Sequence, residues 1–237
     1  MKYKLTEETK EFLGYTLHRI VCVTAFGTIA AGAFGGWVES EKNLDQYGDA
    51  WVSGNAMVYG NAKVYGNAMV SGDAKVYDNA WVYDNAEVYD NAEVYGNAMV
   101  SGDAKVYGDA EVYDNAWVYG DAEVYDNAEV YDNAEVYGNA MVSDNAEVYG
   151  NAEVYGNAKV SGNADFIVLK NNWSSGRYFT YTRSNELWKV GCFYGTGVEL
   201  IAKAYKDSEL SGKCYEASVN YVEYIYKILE ESKKNAD

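Results

Sequence analysis

Tyr77-Asp78-Asn79-Ala80-Trp81-Val82, Tyr83-Asp84-Asn85-Ala86-Glu87-Val88 and Tyr89-Asp90-Asn91-Ala92-Glu93-Val94 are three consecutive copies of one hexad. The same unit, [Tyr/Ser]-[Gly/Asp]-[Asn/Asp]-Ala-x-Val, runs without insertion or deletion from Tyr47 to Phe166, 20 times in all. Only the last copy departs, with Phe166 in the valine slot. Ala-x-Val-Tyr alternates strictly, so Ala and Val face one side of a short strand, and x and Tyr the other. Gly/Asp followed by Asn/Asp is corner chemistry, because these residues accept positive φ or bond their own backbone. A lone hexad cannot bury its two small residues, whereas stacked copies can, each coil hydrogen-bonding the next. Each buried valine contributes roughly 1.5–3 kcal/mol.

Three hexads per coil place residues 18 apart in one column, and the columns then separate by chemistry. One x column is acidic: Met57, Lys75, then Glu93, Glu111, Glu129, Glu147 and Asp165. A second is apolar in the middle: Lys63, Trp81, Met99, Trp117, Glu135, Glu153. The third is mixed: Trp51, Met69, Glu87, Lys105, Glu123, Met141, Lys159. Assigning each tyrosine to the x residue of its own hexad puts Tyr59, Tyr77, Tyr95, Tyr113, Tyr131 and Tyr149 on the Trp81 face, and Ser53, Ser71, Ser143 and Ser161 on the acidic face. This reading predicts a flat aromatic patch of Trp81, Tyr95, Met99, Tyr113 and Trp117.

Val-[Tyr/Ser]-[Gly/Asp]-[Asn/Asp]-Ala-x resembles the hexapeptide repeat of left-handed parallel β-helices, which are triangular with three hexads per coil. The flank Arg19-Ile20, Phe26-Gly27, Gly32, Gly35-Gly36-Trp37-Val38-Glu39-Ser40-Glu41 and Asn43-Leu44 resembles the entry segment of YdcK-like β-solenoid proteins. Gly191-Cys192-Phe193-Tyr194-Gly195-Thr196 resembles the exit segment of related proteins of phage and bacterial genomes. The resemblance implies an all-β solenoid, a left-handed parallel β-helix over 47–166, with a small N-terminal β cap over 1–46 and a C-terminal α/β cap over 167–237. In the last of these, 167–170, 176–183 and 186–193 read as strands, and 198–205 and 215–231 as helices. Tyr215, Val219, Val222, Ile225, Tyr226 and Leu229 fall on one face of the second helix, which would pack on its own cap or join protomers.

Net charge is −17, and the repeat carries all of it, with 21 Asp and Glu against 4 Lys. On a stack roughly 32 Å long this is about one charge per 1.9 Å, against about one per 1.7 Å for duplex DNA. Direct binding to nucleic acid or an anionic membrane would meet repulsion, whereas a basic protein fits. The charge reads either as a solubility device that blocks strand-edge aggregation or as mimicry of DNA toward a basic DNA-binding protein, of the phage-encoded anti-restriction or anti-CRISPR type. Ile20–Val38 is uncharged and long enough to span a membrane, but its glycines and threonines read as short strands joined by turns. Three distant cysteines and no signal peptide point to a cytoplasmic protein of a bacterial or phage-infected cell.

Some hexapeptide-repeat proteins are acyltransferases with a histidine base between protomers. Here the only histidine, His18, precedes the repeat. No nucleophile–base pair, phosphate loop or metal-ligand spacing is present. The sequence therefore predicts a protein without catalytic residues, cofactor or metal. Its aromatic face (Trp81, Tyr95, Met99, Tyr113, Trp117) would dock a partner or form a homodimer. Its acidic stripe (Glu93, Glu111, Glu129, Glu147) would face a basic protein.

Overall fold

A computed structural model describes residues 1–234. It divides into two units, Met1–Asn163 and the chain from Ala164 onward.

In the first unit the hexads stack as parallel coils. Glu93 pairs in register with Glu111, and Glu111 with Glu129, each 18 residues on, so three hexads make one coil. Three parallel sheets result. The acidic sheet is Met57, Lys75, Glu93, Glu111, Glu129 and Glu147, each followed by its valine; the tryptophan sheet starts from Lys63 and the mixed sheet from Trp51. The backbone ladder follows from the repeat, as when Glu93 N–H donates to Ala110 O and Tyr95 N–H to Val112 O, both at 3.0 Å. Every repeat alanine from Ala50 to Ala158 and every valine from Val52 to Val160 is buried, so the interior is two small side chains per hexad.

The corner is made by one residue. The Gly/Asp slot takes the left-handed conformation in every hexad but the last, with Asp78, Asp84, Asp90, Asp114, Asp126, Asp132 and Asp144 at φ between 56° and 59°. At Gly102 an added Cβ would also lie 2.9 Å from the Gly120 nitrogen of the next coil. The following Asn/Asp slot hydrogen-bonds along the stack, as Asn61 Nδ2 to Asn79 Oδ1 at 3.0 Å.

The twentieth hexad does not continue the solenoid. The last coil strand is Lys159–Val160; Ala164 is exposed, and Phe166 instead opens an antiparallel strand paired with Thr182. A phenylalanine is too large for a wall that elsewhere holds valine.

At the N-terminal end the three open edges are closed in three ways. β1 (Tyr3–Phe12), β2 (Tyr15–Cys22) and β3 (Phe34–Val38) extend the acidic sheet, with Trp37 and Val38 parallel to Met57 and Val58. The stack therefore begins before the first hexad, with Gly36-Trp37-Val38 in the place of Ala-x-Val. Leu44 bridges to Val64, and Asn43 Nδ2 donates to Gly60 O and Ala62 O at 3.1 and 3.0 Å, covering the tryptophan sheet. Lys2 covers the mixed sheet, its Nζ donating to Ala50 O at 2.7 Å and to the carbonyls of Gly48 and Tyr47 at 3.3 and 3.4 Å. The uncharged segment 20–38 is thus parts of β2 and β3 with turns between them. No helix among the described residues is long and apolar enough to cross a membrane.

The second unit is a four-stranded antiparallel sheet, Phe166–Lys170, Tyr178–Thr182, Leu187–Val190 and Phe193–Gly195, with helices α1 (Gly197–Asp207) and α2 (Glu209–Lys234). The single third strand expected over 186–193 is two strands, because Gly191 turns the chain at φ +52°. α2 begins at Glu209, earlier than its apolar period marks. Gly212 belongs to it because Tyr205 of α1 packs where a Cβ would stand, 2.2 Å from ring carbon Cδ1. Tyr215, Val219, Val222 and Tyr226 are buried in one core with Phe179, Tyr181 and Trp188. That face is used within its own unit.

Candidate interaction faces

Glu93, Glu111, Glu129 and Glu147 line up on one sheet in consecutive register. Like charges stacked this way repel. Each is held by a hydroxyl from the coil before it. Tyr77 Oη donates to Glu93 at 3.0 Å, Tyr95 to Glu111 and Tyr113 to Glu129 at 2.8 Å, and Tyr131 to Glu147 at 3.2 Å. Lys75 Nζ adds an ion pair to Glu93 at 2.5 Å. The donor stands 16 residues before the acceptor, and the same offset joins Tyr107 to Glu123, Tyr119 to Glu135 and Tyr137 to Glu153 on the other sheets.

These bonds correct the assignment of the tyrosines. Tyr59, Tyr77, Tyr95, Tyr113, Tyr131 and Tyr149 belong to the acidic sheet. They form one continuous ring stack there, with centroids 4.9–5.4 Å apart. Phe12 and Tyr15 pack on Tyr59 at its N-terminal end. The physical reason is the corner: the left-handed residue follows the tyrosine, so each tyrosine stays with the valine before it. The strand Trp117–Gly120 includes Tyr119, in register with Tyr137. By the same rule Ser53, Ser71 and Ser143 follow strands of the mixed sheet and not the acidic one.

The predicted aromatic patch is therefore divided. Tyr95 and Tyr113 are on the acidic sheet, and Trp81, Met99 and Trp117 are neighbours on the tryptophan sheet. Trp117 is partly covered, with Nε1 donating to Ser101 Oγ at 3.2 Å and its ring on Tyr119. Trp81 is 40 % exposed, with Lys63 over its face and Tyr65 at its edge. Beside it an open groove of about 670 Å³ is lined by Leu44, Tyr47, Tyr65 and Trp81. Of the five predicted patch residues only Trp81 is exposed, and it lies towards the N-terminal end of its sheet. Sequence reading missed the groove because Leu44 lies before the repeat, so no column of the repeat places it beside Tyr65 and Trp81.

Burial and then the hydrogen bond to glutamate lift the phenols of Tyr95 and Tyr113 above the ordinary tyrosine range. Tyr131, with the same causes, is pushed up to about 12. Each phenol keeps its proton and remains a donor across the physiological range. His18 lies in β2, its Nδ1 3.3 Å from the carbonyl of Thr6. Cys22, Cys192 and Cys214 are free thiols, and no group of three or more His, Cys, Asp or Glu among the described residues is placed to hold a metal.

Residues 62–77 and 92–108 match the family model of the YdcK beta solenoid repeat. No curated protein matches the chain.

Proposed function

We propose, from the premise that this chain is a YdcK-like β-solenoid repeat protein, that it is a non-enzymatic structural or adaptor protein. Its coils hold charged and aromatic side chains at fixed spacing for a protein partner. The observation that carries this reading is the tyrosine–glutamate ladder of the acidic sheet. A flexible acidic tail could carry the same charge, but it would lose conformational entropy on binding. Here the carboxylates are already ordered, so complementarity to a basic surface is gained at smaller cost. The partner this surface fits is a basic protein in the cytoplasm. The charge opposes direct contact with nucleic acid or an anionic membrane.

A second reading rests on the spacing of the same column. One carboxylate per coil, at about 4.8 Å, offers a Lys/Arg-lined groove a row of negative charge in place of phosphates. In that case the protein is an acidic DNA mimic that inhibits a DNA-binding protein.

One variant, Glu111→Lys with Glu129→Lys, addresses both. Both side chains point outward, so circular dichroism should be unchanged while capture of the basic partner is lost. Duplex DNA that displaces the wild-type protein supports the mimic; a partner that binds protein and DNA together supports the adaptor. Undiminished binding by the variant at equal salt would sink both. The tryptophan sheet is the face we assign to a second copy of the chain, since Tyr and Trp are enriched where interfaces are strongest. Trp81→Glu with Trp117→Glu should halve the mass measured by light scattering. A dimer of unchanged mass would remove this face from consideration.

A further inference from the structure

Helix α2 carries two apolar stripes, and its own unit uses one of them. Tyr215, Val219, Val222 and Tyr226 lie in the core. Leu210, Cys214, Ala217, Tyr221, Tyr224 and Ile228 make the other, in steps of four and three residues that alternate without a break. That period of 3.5 is the seam spacing of paired helices, in which each side chain fits between four of the facing helix. Leu210, Tyr221, Tyr224 and Ile228 are between 46 and 64 % exposed; Cys214 is half-buried and Ala217 exposed. A helix apolar on two sides is suited to being covered on both.

The order of sizes along the stripe says what covers it. A two-fold axis level with Val219 sets Ala217 opposite the second copy's Tyr221, Cys214 opposite its Tyr224 and Leu210 opposite its Ile228. Two of these layers join a small side chain to a large one and the third joins two of middle size, as close packing requires. Parallel copies would instead set tyrosine on tyrosine twice and alanine on alanine once. Charge points the same way. From Ala164 onward the chain has ten Asp and Glu and ten Lys and Arg, so two copies do not repel here as two acidic sheets would. A basic partner finds no net field at this stripe to draw it in.

We propose that α2 pairs antiparallel with α2 of a second copy through this stripe, a contact separate from the tryptophan sheet. The four large side chains expose on the order of 400 Å² per copy. Pairing therefore buries about 800 Å² from them, below the standard size of a tight interface, which makes this a weak dimer with Kd about 10 μM.

The test is sedimentation equilibrium on the full chain carrying Trp81→Glu with Trp117→Glu, so that its outcome does not depend on whether the tryptophan sheet self-associates. This protein should still form a dimer at about 100 μM. Adding Tyr221→Glu and Ile228→Glu should weaken the dimer at least 100-fold and leave a monomer, with circular dichroism and the melting midpoint of the dilute protein unchanged because both side chains are exposed. The antiparallel layer is tested by a swap. Ala217→Tyr alone crowds two tyrosines into one layer, and Tyr221→Ala alone leaves alanine facing alanine; each should weaken the dimer about tenfold. Made together they exchange large for small and should restore most of the affinity. A monomer at about 1 mM before the glutamates are added, or a dimer that survives them, overturns the proposal. Losses from the two single changes that add, with no rescue in the pair, would overturn the antiparallel pairing.

Discussion

At the scale of single residues, the pairing of tyrosine with glutamate settles how a column of like charges survives. Tyr95 Oη and a Glu111 carboxylate oxygen are 2.8 Å apart, both only partly exposed. A hydrogen bond to a charged acceptor contributes about 1.5–3 kcal/mol where burial is substantial, and less where water competes. Tyr95→Phe and Glu111→Gln, made singly and together, should therefore show a coupling of about 1 kcal/mol in urea unfolding. Strictly additive effects would mean that the ladder is geometry without energy. The offset that creates this pair is present in the sequence: Glu93, Glu111, Glu129 and Glu147 all stand 16 residues after a tyrosine. It emerges only when each tyrosine is read with the Ala-x-Val before it. The hexad can be written starting from any slot, and starting it at tyrosine joined each ring to the wrong strand. Both corner slots follow the tyrosine, so the Ala-x-Val-Tyr strand already keeps each ring with the valine before it, and the structure agrees, with the left-handed residue in the Gly/Asp slot.

At the scale of elements, a repeat announces its coils but not its ends. The 18-residue column, the three sheets and the buried alanine–valine wall were all legible, because each follows from the repeat alone. The N-terminal closure was legible only as a segment with some covering role. Its agents, Asn43, Leu44 and Lys2, are single residues with no period to reveal them. Lys2 is the most exacting of these. Burial lowers the pKa of its ammonium group, and the nearby Asp45 and Asp49 partly restore it. The ammonium group donates to carbonyls at the open edge of Trp51–Val52. Lys2→Met keeps the stem and removes the donors, leaving those carbonyls unmatched. Stability should fall by about 2 kcal/mol. Amide exchange should quicken first near Tyr47–Val52, since edges open before interiors. Unchanged exchange there would show that water, and not Lys2, satisfies the edge.

At the scale of the whole molecule, the many tyrosines make stability depend on pH in one direction. A free tyrosine loses its proton near pH 10. In the folded protein Tyr95 and Tyr113 hold theirs more tightly, and Tyr131 does so up to about 12. A raised folded pKa means that the native state binds more protons than the unfolded chain wherever the latter has begun to ionise. The contribution is complete below pH about 10 and is lost as pH rises through the folded values. Each phenolate would form beside a glutamate of the same sign, within a chain whose net charge is already −17. The urea midpoint should therefore be level from about pH 7 to 9 and fall steeply above about 10. Ultraviolet absorbance of tyrosinate should lag behind that of free tyrosine and then rise together with unfolding. Lysines also lose charge in this range, so the discriminating measurement is a variant with Tyr95→Phe and Tyr113→Phe. It should be less stable at pH 8 and show a shallower alkaline decline. An equally steep decline would assign the effect to general charge repulsion rather than to the ladder.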